Sequence, residues 1–366
     1  MAPRILLAVA FGIVGTALLA QPQTPTTPSN LQAAQDPRYP DVIAKCKTPP
    51  PGRAGGPAGG ARAGGAAAAG GAGRAGAAPT PASADYAIAE IPGVIAAGQR
   101  WTTVYQTTGN NADGPIASED GGLLIAQNDN GAVVRIDSKG QATTLYRDTN
   151  TGGSLSRSST GALFVASRGI GNAVLQLAPQ RRVLANSYNG DALECLGGNV
   201  NDLTADSRGG VYFTQGGLFY ADPKGVVTQY GTGLQTNGVI LSPDEKTIYV
   251  TNRQTIVAFD VQPDGSLTKQ RDFARLPVGS GDGMTVDSAG RVYVTAGGGG
   301  GDAMPGLYVF SADGKLLGHI PSPRNLITVA FSGTDKKTLY AIANDRVRVD
   351  VYAVPMIAQG FRGRAK

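Results

Sequence analysis

The sequence predicts an all-β protein and, within that class, a six-bladed β-propeller. From residue 99 to 353, short apolar or alternating runs are separated by turns such as DSKG, DSRG, DPKG and DSAG, and helical periodicity is scarce. In such turns Asp or Ser bonds the backbone and Gly accepts a positive φ. Turns that recur about every 8 to 12 residues between such runs are typical of antiparallel strands. The pattern repeats after about 35 to 45 residues, which is the spacing of four-stranded blades.

The repeat divides the chain into six units of strand, turn, strand, turn and strand. These units lie at about 114–147, 155–188, 202–230, 238–273, 283–320 and 327–353. Each unit shows three clear strands, and we expect the fourth to bridge to the next unit. The run RWTTVYQ at 100–106 is expected to complete the last blade and close the ring. A β-sandwich is the main alternative, but it does not explain the repeated register.

The first 84 residues are predicted to precede the propeller, which we assign to residues 85–366. Residues 1–20 are predicted to be a signal peptide, because MAPR precedes an apolar run shorter than the roughly 20 residues of a spanning helix. Residues 21–84 are rich in Gly, Ala and Pro, so we expect a disordered linker. We therefore expect a secreted protein, periplasmic or extracellular, with no membrane span after signal cleavage.

The two cysteines, Cys46 in the linker and Cys195 in the domain, leave two alternatives open. Export permits a disulfide, which would pin the linker six residues before Asn201. Two unpaired thiols are the other alternative, because sequence alone does not establish pairing.

The basic residues exclude one class of partner. The formal net charge is +5, but the Lys and Arg residues are scattered through the linker, the domain and the C-terminal residues. A nucleic-acid surface would need clustered basic residues interleaved with aromatics. We expect no nucleic-acid partner, a small-molecule ligand and a monomeric protein.

Four units share a register that places one oxygen-bearing side chain before the first strand. The stretches read DGPIASEDG, NDLTADSRG, NGVILSPDE and DGMTVDSAG, and their first residues are Asp113, Asn201, Asn237 and Asp282. In a propeller these four openers converge on the axis, where two carboxylates and two carboxamides suit a hard cation. The openers could instead only cap turns. Capping would be expected in every blade, whereas unit two has Gly153 and unit six has Ile327 or Thr328 at this position.

Four segments of the chain are similar to one known family. NDLTADSRGGVYFTQ, TNGVILSPDEKTIYVTN, GDGMTVDSAGRVYVTAGGG and LGHIPSPRNLITVAFSGTDKKTLYAIA resemble the senescence-marker-protein-30, gluconolactonase and regucalcin-like family. The resemblance covers about 99–353. It implies a six-bladed propeller with one divalent cation near the central channel and, in enzymatic members, hydrolysis of sugar lactones or related esters.

The resemblance also implies roles for five residues. Asn237 and Asp282 fall on metal ligands of the family, and Asp282 falls on its proposed general base as well. Asn201 falls on the Asn of an Asn-Asp pair that completes the metal site or contacts substrate, with Asp202 beside it. Asp113 stands where the family has Glu. Because Asp is one methylene shorter, the cation would shift or take a bridging water.

The chemistry expected from these residues is lactone hydrolysis assisted by a cation on Asp113, Asn237 and Asp282. Asp282, or alternatively Asp202, would take the proton of the attacking water, although Asp282 could be a ligand only. Arg168 would hold a substrate oxygen, the alternative being a surface Arg at a strand end. Calcium is the first choice of cation, and zinc, magnesium and manganese also accept oxygen ligands.

Two non-catalytic functions are the alternatives. A metal-stabilised propeller that binds a sugar or an envelope protein would show the same four ligands, because fold does not determine function. A structural propeller tethered to the envelope by its tail would bind no cation in the channel.

Overall fold

A computed structural model describes residues 31–48, 50, 87–297, 304–364 and 366. Their strands form six four-stranded antiparallel sheets, so the predicted six-bladed β-propeller is confirmed. The signal peptide predicted for residues 1–20 and the linker from residue 51 to 84 lie outside the described residues.

The first three blades follow strand β1 (Thr102–Thr108), which belongs to the last blade. Blade one consists of β2 (Asp113–Ala117), β3 (Leu123–Gln127), β4 (Ala132–Ile136) and β5 (Ala142–Tyr146). Blade two consists of β6 (Gly152–Arg157), β7 (Leu163–Ser167), β8 (Ala173–Ala178) and β9 (Arg182–Ala185). A short hairpin, β10 (Ser187–Tyr188) and β11 (Asp191–Ala192), and a 3-10 helix over Leu193–Leu196 lead to blade three. That blade consists of β12 (Leu203–Ala205), β13 (Val211–Thr214), β14 (Leu218–Ala221) and β15 (Val227–Tyr230).

The last three blades complete the ring. Blade four consists of β16 (Thr236–Leu241), β17 (Thr247–Asn252), β18 (Thr255–Val261) and β19 (Leu267–Arg275). Blade five consists of β20 (Ser280–Val286), β21 (Val292–Gly297), β22 (Gly306–Phe310) and β23 (Leu316–Pro321). Blade six consists of β24 (Thr328–Ser332), β25 (Thr338–Asn344), β26 (Arg348–Pro355) and β1.

The ring closes through the pairing of β1 with β26. Thr102 lies opposite Ala353 and Thr108 opposite Arg348, so the run at 100–106 completes the last blade as predicted. The expectation that fourth strands bridge to the next unit is wrong, because in the other five blades all four strands are consecutive in the chain. The outermost strands had no clear apolar pattern. In β5, for example, four of five residues are exposed.

The core lies between neighbouring blades. Ile116 of β2 and Leu155 of β6 are fully buried in one cluster that joins blades one and two. The first strands of successive blades contact each other around the channel, from β2 through β6, β12, β16 and β20 to β24 and back to β2. Each large apolar side chain buried in this way contributes about 1.5 to 3 kcal/mol.

The Asp or Ser five residues after each opener caps a turn, as the repeat predicted. Asp287 is fully buried, and its Oδ1 accepts the amides of Ala289 at 2.9 Å and Arg291 at 3.0 Å. Its Oδ2 accepts Arg291 Nε at 2.5 Å and the hydroxyl of Tyr293 at 2.8 Å. This end of the first strand is therefore structural, and the openers lie at the opposite end.

One stretch of the predicted linker, residues 31–48, is structured. Residues 31–48 contain a 3-10 helix over Ala33–Gln35 and α1 (Tyr39–Ile43), and Cys46 forms a disulfide with Cys195. The linker was predicted from its Gly, Ala and Pro content, but the long Gly/Ala run begins only after this stretch. The disulfide attaches the stretch to the domain. In the described part of the chain, no helix is long and apolar enough to cross a membrane.

Candidate functional site

Three of the four openers lie at β-bulges of the innermost strands. The pairing register shifts between Asp113 and Ile116 in β2, between Thr236 and Val239 in β16, and between Gly281 and Met284 in β20. A bulge adds an unpaired residue and redirects side chains. These shifts place Asp113, Asn237 and Asp282 beside the channel.

Three of the four openers are joined by side-chain hydrogen bonds. Arg168 donates from Nη1 to Asp113 Oδ2 at 2.7 Å and from Nη2 to Asn201 Oδ1 at 3.2 Å. Asn201 Nδ2 donates to Asn237 Oδ1 at 2.5 Å. We call Asp113, Asn201, Asn237, Asp282 and Arg168 the opener ring.

The fourth opener, Asp282, lies next to Asn237. A Cβ at Gly238 would be 2.2 Å from the main-chain oxygen of Asp282, so only glycine allows β16 and β20 to approach this closely. Burial, followed by the charges of Asp113 and Asp202, raises the pKa of Asp282 to about 8, and a hydrogen bond with Asn237 and the charge of Arg168 act in the opposite direction. Asp282 is thus in a carboxylate-rich part of the channel.

Arg168 is built into the ring rather than placed on the surface, so the surface alternative is wrong. It is 7% exposed, and its Nε also donates to the carbonyl of Val200 at 3.1 Å. A Cβ at Gly153 would lie 2.0 Å from Arg168 Cζ. Blade two therefore has glycine at the opener position because the guanidinium of Arg168 fills the space of a side chain.

Asp202 lies beside the ring and is held by the protein. Its Oδ1 accepts Ser154 Oγ at 2.5 Å, and its Oδ2 accepts the amide of Val239 at 2.8 Å and the ammonium of Lys366. Lys366 Nζ also donates to the carbonyl of Val239 at 2.6 Å. Since both carboxylate oxygens of Asp202 accept bonds from the protein, its predicted role as a general base stays a prediction.

The pair of Lys366 and Asp202 leads to a prediction on stability. Their side chains are 3% and 11% exposed. Lys366→Met should lower the free energy of unfolding by about 3 kcal/mol, because it leaves a buried carboxylate without its cation. Urea unfolding measures this change, with the exposed Lys315→Met as a control that should stay within about 0.5 kcal/mol. An unchanged unfolding midpoint for Lys366→Met would contradict the pairing.

Sequence reasoning missed a set of threonines behind the openers. Thr214, Thr251 and Thr295 are fully buried. Thr214 Oγ1 donates to the carbonyl of Asn237 at 2.5 Å, and Thr251 Oγ1 accepts the amide of Gly238 at 2.7 Å. Thr295 Oγ1 donates to the carbonyl of Gly283 at 3.0 Å. The signal was available, since each threonine ends the apolar run in VYFT, TIYVT and VYVT.

The side-chain oxygens of the four openers fit a hard cation in their chemistry. They are carboxylate and carboxamide oxygens, which calcium and magnesium prefer. In the described ranges, no cluster of three or more His, Cys, Asp and Glu residues could hold a metal, so the two carboxamides are needed to complete such a site. Oxygens of Asp113, Asn201 and Asn237 now accept hydrogen bonds from Arg168 and from the Asn201 amide. A cation would take the place of these N–H donors at the oxygens.

Two curated relatives of this chain are lactonases by name. A gluconolactonase from Zymomonas mobilis is 28% identical over 222 residues, covering 51% of this chain and 59% of the relative. A pentonolactonase from Haloferax volcanii is 34% identical over 154 residues, covering 38% of this chain and 51% of the relative. The chain thus matches little more than half the length of these relatives.

Solved structures share the fold of this chain, and one family matches its sequence. A gluconolactonase from Xanthomonas campestris superposes with a TM-score of 0.60 at 24% identity, covering 71% of this chain and 90% of that one. A regucalcin from Agrobacterium tumefaciens, described as a calcium-binding protein, gives a TM-score of 0.52 at 16% identity, covering 70% and 95%. At these identities the likeness shows the fold alone. The SMP-30/gluconolactonase/LRE-like region matches residues 147–344, more than half of the chain. The repeat, the six blades and this match together show that the chain belongs to the SMP-30/gluconolactonase/LRE-like family.

Proposed function

We propose that this protein hydrolyses sugar-derived lactones at the opener ring with the help of one divalent cation. The observation that carries the proposal is the convergence of Asp113, Asn201 and Asn237 through hydrogen bonds, with Asp282 adjacent to Asn237. The family and its lactonase relatives support the substrate class.

The four openers have different roles in the proposed hydrolysis. Asp113, Asn237 and Asp282 would hold the cation, with Asn201 completing the site or contacting substrate. A bound cation supplies Lewis acidity toward the lactone carbonyl and lowers the pKa of water. Asp282 takes a proton from the water whose oxygen attacks the carbonyl carbon. The ring C–O bond then breaks, Asp282 returns this proton to the ring oxygen, and a hydroxy acid is released.

Arg168 is assigned to the substrate. Its guanidinium carries a positive charge inside the channel and lies between Asp113 and Asn201. A guanidinium, with its fork of N–H donors, is well suited to hold an oxygen of the bound lactone. In this assignment Arg168 exchanges part of its hydrogen bonding with Asp113 for bonding to the lactone.

We also propose calcium as the cation and export as the destination. The oxygen-only donor set suits calcium, with zinc, magnesium and manganese as alternatives. Export is supported by the MAPR and apolar run at the N-terminus and by the disulfide between Cys46 and Cys195, a bond that persists in oxidising compartments.

Removal and return of cations tests the function. The purified protein, stripped with a chelator, should hydrolyse a panel of aldonolactones at least about 100-fold more slowly, because the Lewis acid is missing. Adding calcium, zinc, magnesium or manganese separately should restore turnover and identify the effective ion. Cation binding is followed in parallel by calorimetry.

Two results would contradict the proposal. Stoichiometric cation binding without turnover of any lactone would favour a binding propeller for sugars. If neither binding nor turnover is found, the openers would be structural caps of their strands.

A further inference from the structure

Residues 31–48 form a small structured segment outside the six blades, and we call it the N-terminal strap. It contains the 3-10 helix Ala33–Gln35 and α1, and Ala33 is fully buried. One end of the strap is bonded covalently to the domain through Cys46 and Cys195, which are 149 residues apart in the chain. Next to this bond, the amide of Lys47 donates to Asp191 Oδ1 at 3.0 Å.

The other end of the strap contacts the chain around Arg168. The amide of Ala33 donates to the carbonyl of Arg168 at 2.9 Å. Thr151 Oγ1 donates to the carbonyl of Leu31 at 3.1 Å, and Asn199 Nδ2 donates to Gln32 Oε1 at 3.0 Å. Thr151 lies two residues before Gly153, and Asn199 two residues before Asn201. The strap is therefore hydrogen-bonded to Arg168 itself and to the two loops that lead to Gly153 and Asn201.

The loop that positions Arg168 has a strained turn. Asn150 and Thr151 have φ values of +52° and +60°, and a β-branched residue rarely adopts this conformation. The amide of Arg168 donates to the carbonyl of Asn150 at 3.1 Å, and Asn150 Nδ2 donates to Ser167 Oγ at 2.9 Å. Strained backbone persists where the surrounding structure over-determines it. The strap is part of that surrounding structure, because the carbonyl of Leu31 accepts a hydrogen bond from the hydroxyl of Thr151, which is 1% exposed.

The disulfide end of the strap reaches the same loop by a second route. Glu194, beside Cys195, is 1% exposed and its Oε1 accepts the amides of Gly171 at 2.5 Å and Asn172 at 2.8 Å. Gln215 Nε2 donates to the carbonyls of Leu193 and Gly197, at 2.7 and 3.2 Å, on either side of Cys195. One end of the strap thus contacts Arg168 directly, and the other is linked to residues 171–172 through Cys195 and its neighbour Glu194.

From these contacts we infer that the N-terminal strap is a positioning element of the site. It holds the loop of Arg168 so that the guanidinium enters the opener ring, and the Cys46–Cys195 disulfide keeps the strap in place. Substrate binding then depends on an oxidised disulfide, whereas proton transfer at Asp282 does not. The expected change in KM rests on the proposed function, whereas the support of the Arg168 loop by the strap rests on the contacts alone.

The test uses the full chain with Cys46→Ser and Cys195→Ser together. We expect KM for the lactone to rise about tenfold, the effect of one lost hydrogen bond, with kcat changed less than about twofold. If the double variant does not fold, mild reduction of the purified parent replaces it. A second variant, Ala33→Pro, removes the amide that bonds Arg168 and leaves both cysteines in place, so KM should rise here too. Gln32 already has φ −63° and ψ 148°, which suits a residue before proline.

Arg168→Met provides a control that distinguishes a disulfide acting through Arg168 from one that only stabilises the fold. In an Arg168→Met background, loss of the disulfide should no longer change KM, because the strap acts through the guanidinium. An unchanged KM in the parent background, or the same rise in both backgrounds, would overturn the inference.

Hydrogen exchange separates this inference from the proposed function. Breaking the disulfide should speed amide exchange at residues 166–172 at least about tenfold, while β24–β26 remain protected. Protection that stays unchanged at residues 166–172 would overturn the inference even if the parent hydrolyses no lactone. An inactive parent with faster exchange there would overturn only the proposed function and leave the strap as the support of Arg168.

Discussion

Replacing Asp282 by alanine is expected to reduce lactone turnover by a factor of about 100 to 10,000, the range contributed by a positioned general base. The physical reason is twofold, because Asp282 is both the proposed base and one of the two carboxylates assigned to the cation. The variant should therefore also bind the cation more weakly. Steady-state kinetics at saturating cation and calorimetric titration measure the two effects separately.

Asp313→Ala is the matched control for Asp282→Ala. Asp313 belongs to the same blade but lies exposed in the turn after β22. Its loss removes a carboxylate of the same type without touching the channel, so turnover and cation affinity should stay as in the parent. If Asp282→Ala retains turnover within about tenfold, Asp282 is not the base and the assignment fails.

Replacing Arg168 by methionine is expected to lower kcat/KM by a factor of about 10 to 150, the loss of one charge-assisted hydrogen bond to substrate. The same change frees Asp113 Oδ2 and Asn201 Oδ1 from the guanidinium. Cation affinity should therefore rise while lactone binding weakens. These opposite directions distinguish a substrate-binding Arg168 from one that only stabilises the fold. Arg182→Met in β9 is the control, because Arg182 is exposed and bonds Gln176 of its own blade.

Gly153→Ala should reproduce the kinetic effect of Arg168→Met without removing the charge. A Cβ at this position would lie 2.0 Å from Arg168 Cζ, so the guanidinium must leave its place. Gly161→Ala is the matched control, because no atom lies within 4 Å of its Cβ and its cost comes only from a φ of +89°. Gly161→Ala should lower stability without changing kcat/KM. Normal kinetics for Gly153→Ala would show that Arg168 does not need its observed position.

The repeat predicted the architecture well because local signals and packing agree in this chain. Alternation of apolar residues and Asp, Ser and Gly turns defines strands independently of tertiary contacts. The apolar strands β3, β7 and β13 are fully buried, as their composition predicts. The outermost strands were placed less well. β5 and β15 are largely polar, and it is the neighbouring strand of their own sheet that makes them strands.

The candidate site was predicted only in part. Asp113, Asn201, Asn237 and Asp282 could be found because each begins a repeated stretch. Lys366 could not, since it lies 164 residues after Asp202 and follows no repeat. The place of Arg168 in the ring depends on the absent side chain of Gly153, and a glycine alone does not tell which neighbour fills its space.

The strap, too, was predicted only in part from the sequence. Two cysteines in the sequence allowed a disulfide but did not require one, and the Pro and Ala content around Cys46 indicated an unstructured linker. The contacts of Ala33 with Arg168 and of Gln32 with Asn199 connect residues more than 130 positions apart. No local pattern encodes such pairs.

The amino-acid sequence by itself determined the six-bladed fold, the family and the four openers, because these depend on periodicities and turn residues that are local and repeated. Only the tertiary structure decided that Arg168 enters the ring, that Lys366 pairs with Asp202 and that the strap rests on the Arg168 loop. The physical reason is that each of these depends on where a side chain finds space and a partner across the channel, and that is set by the packing of blades distant in the chain.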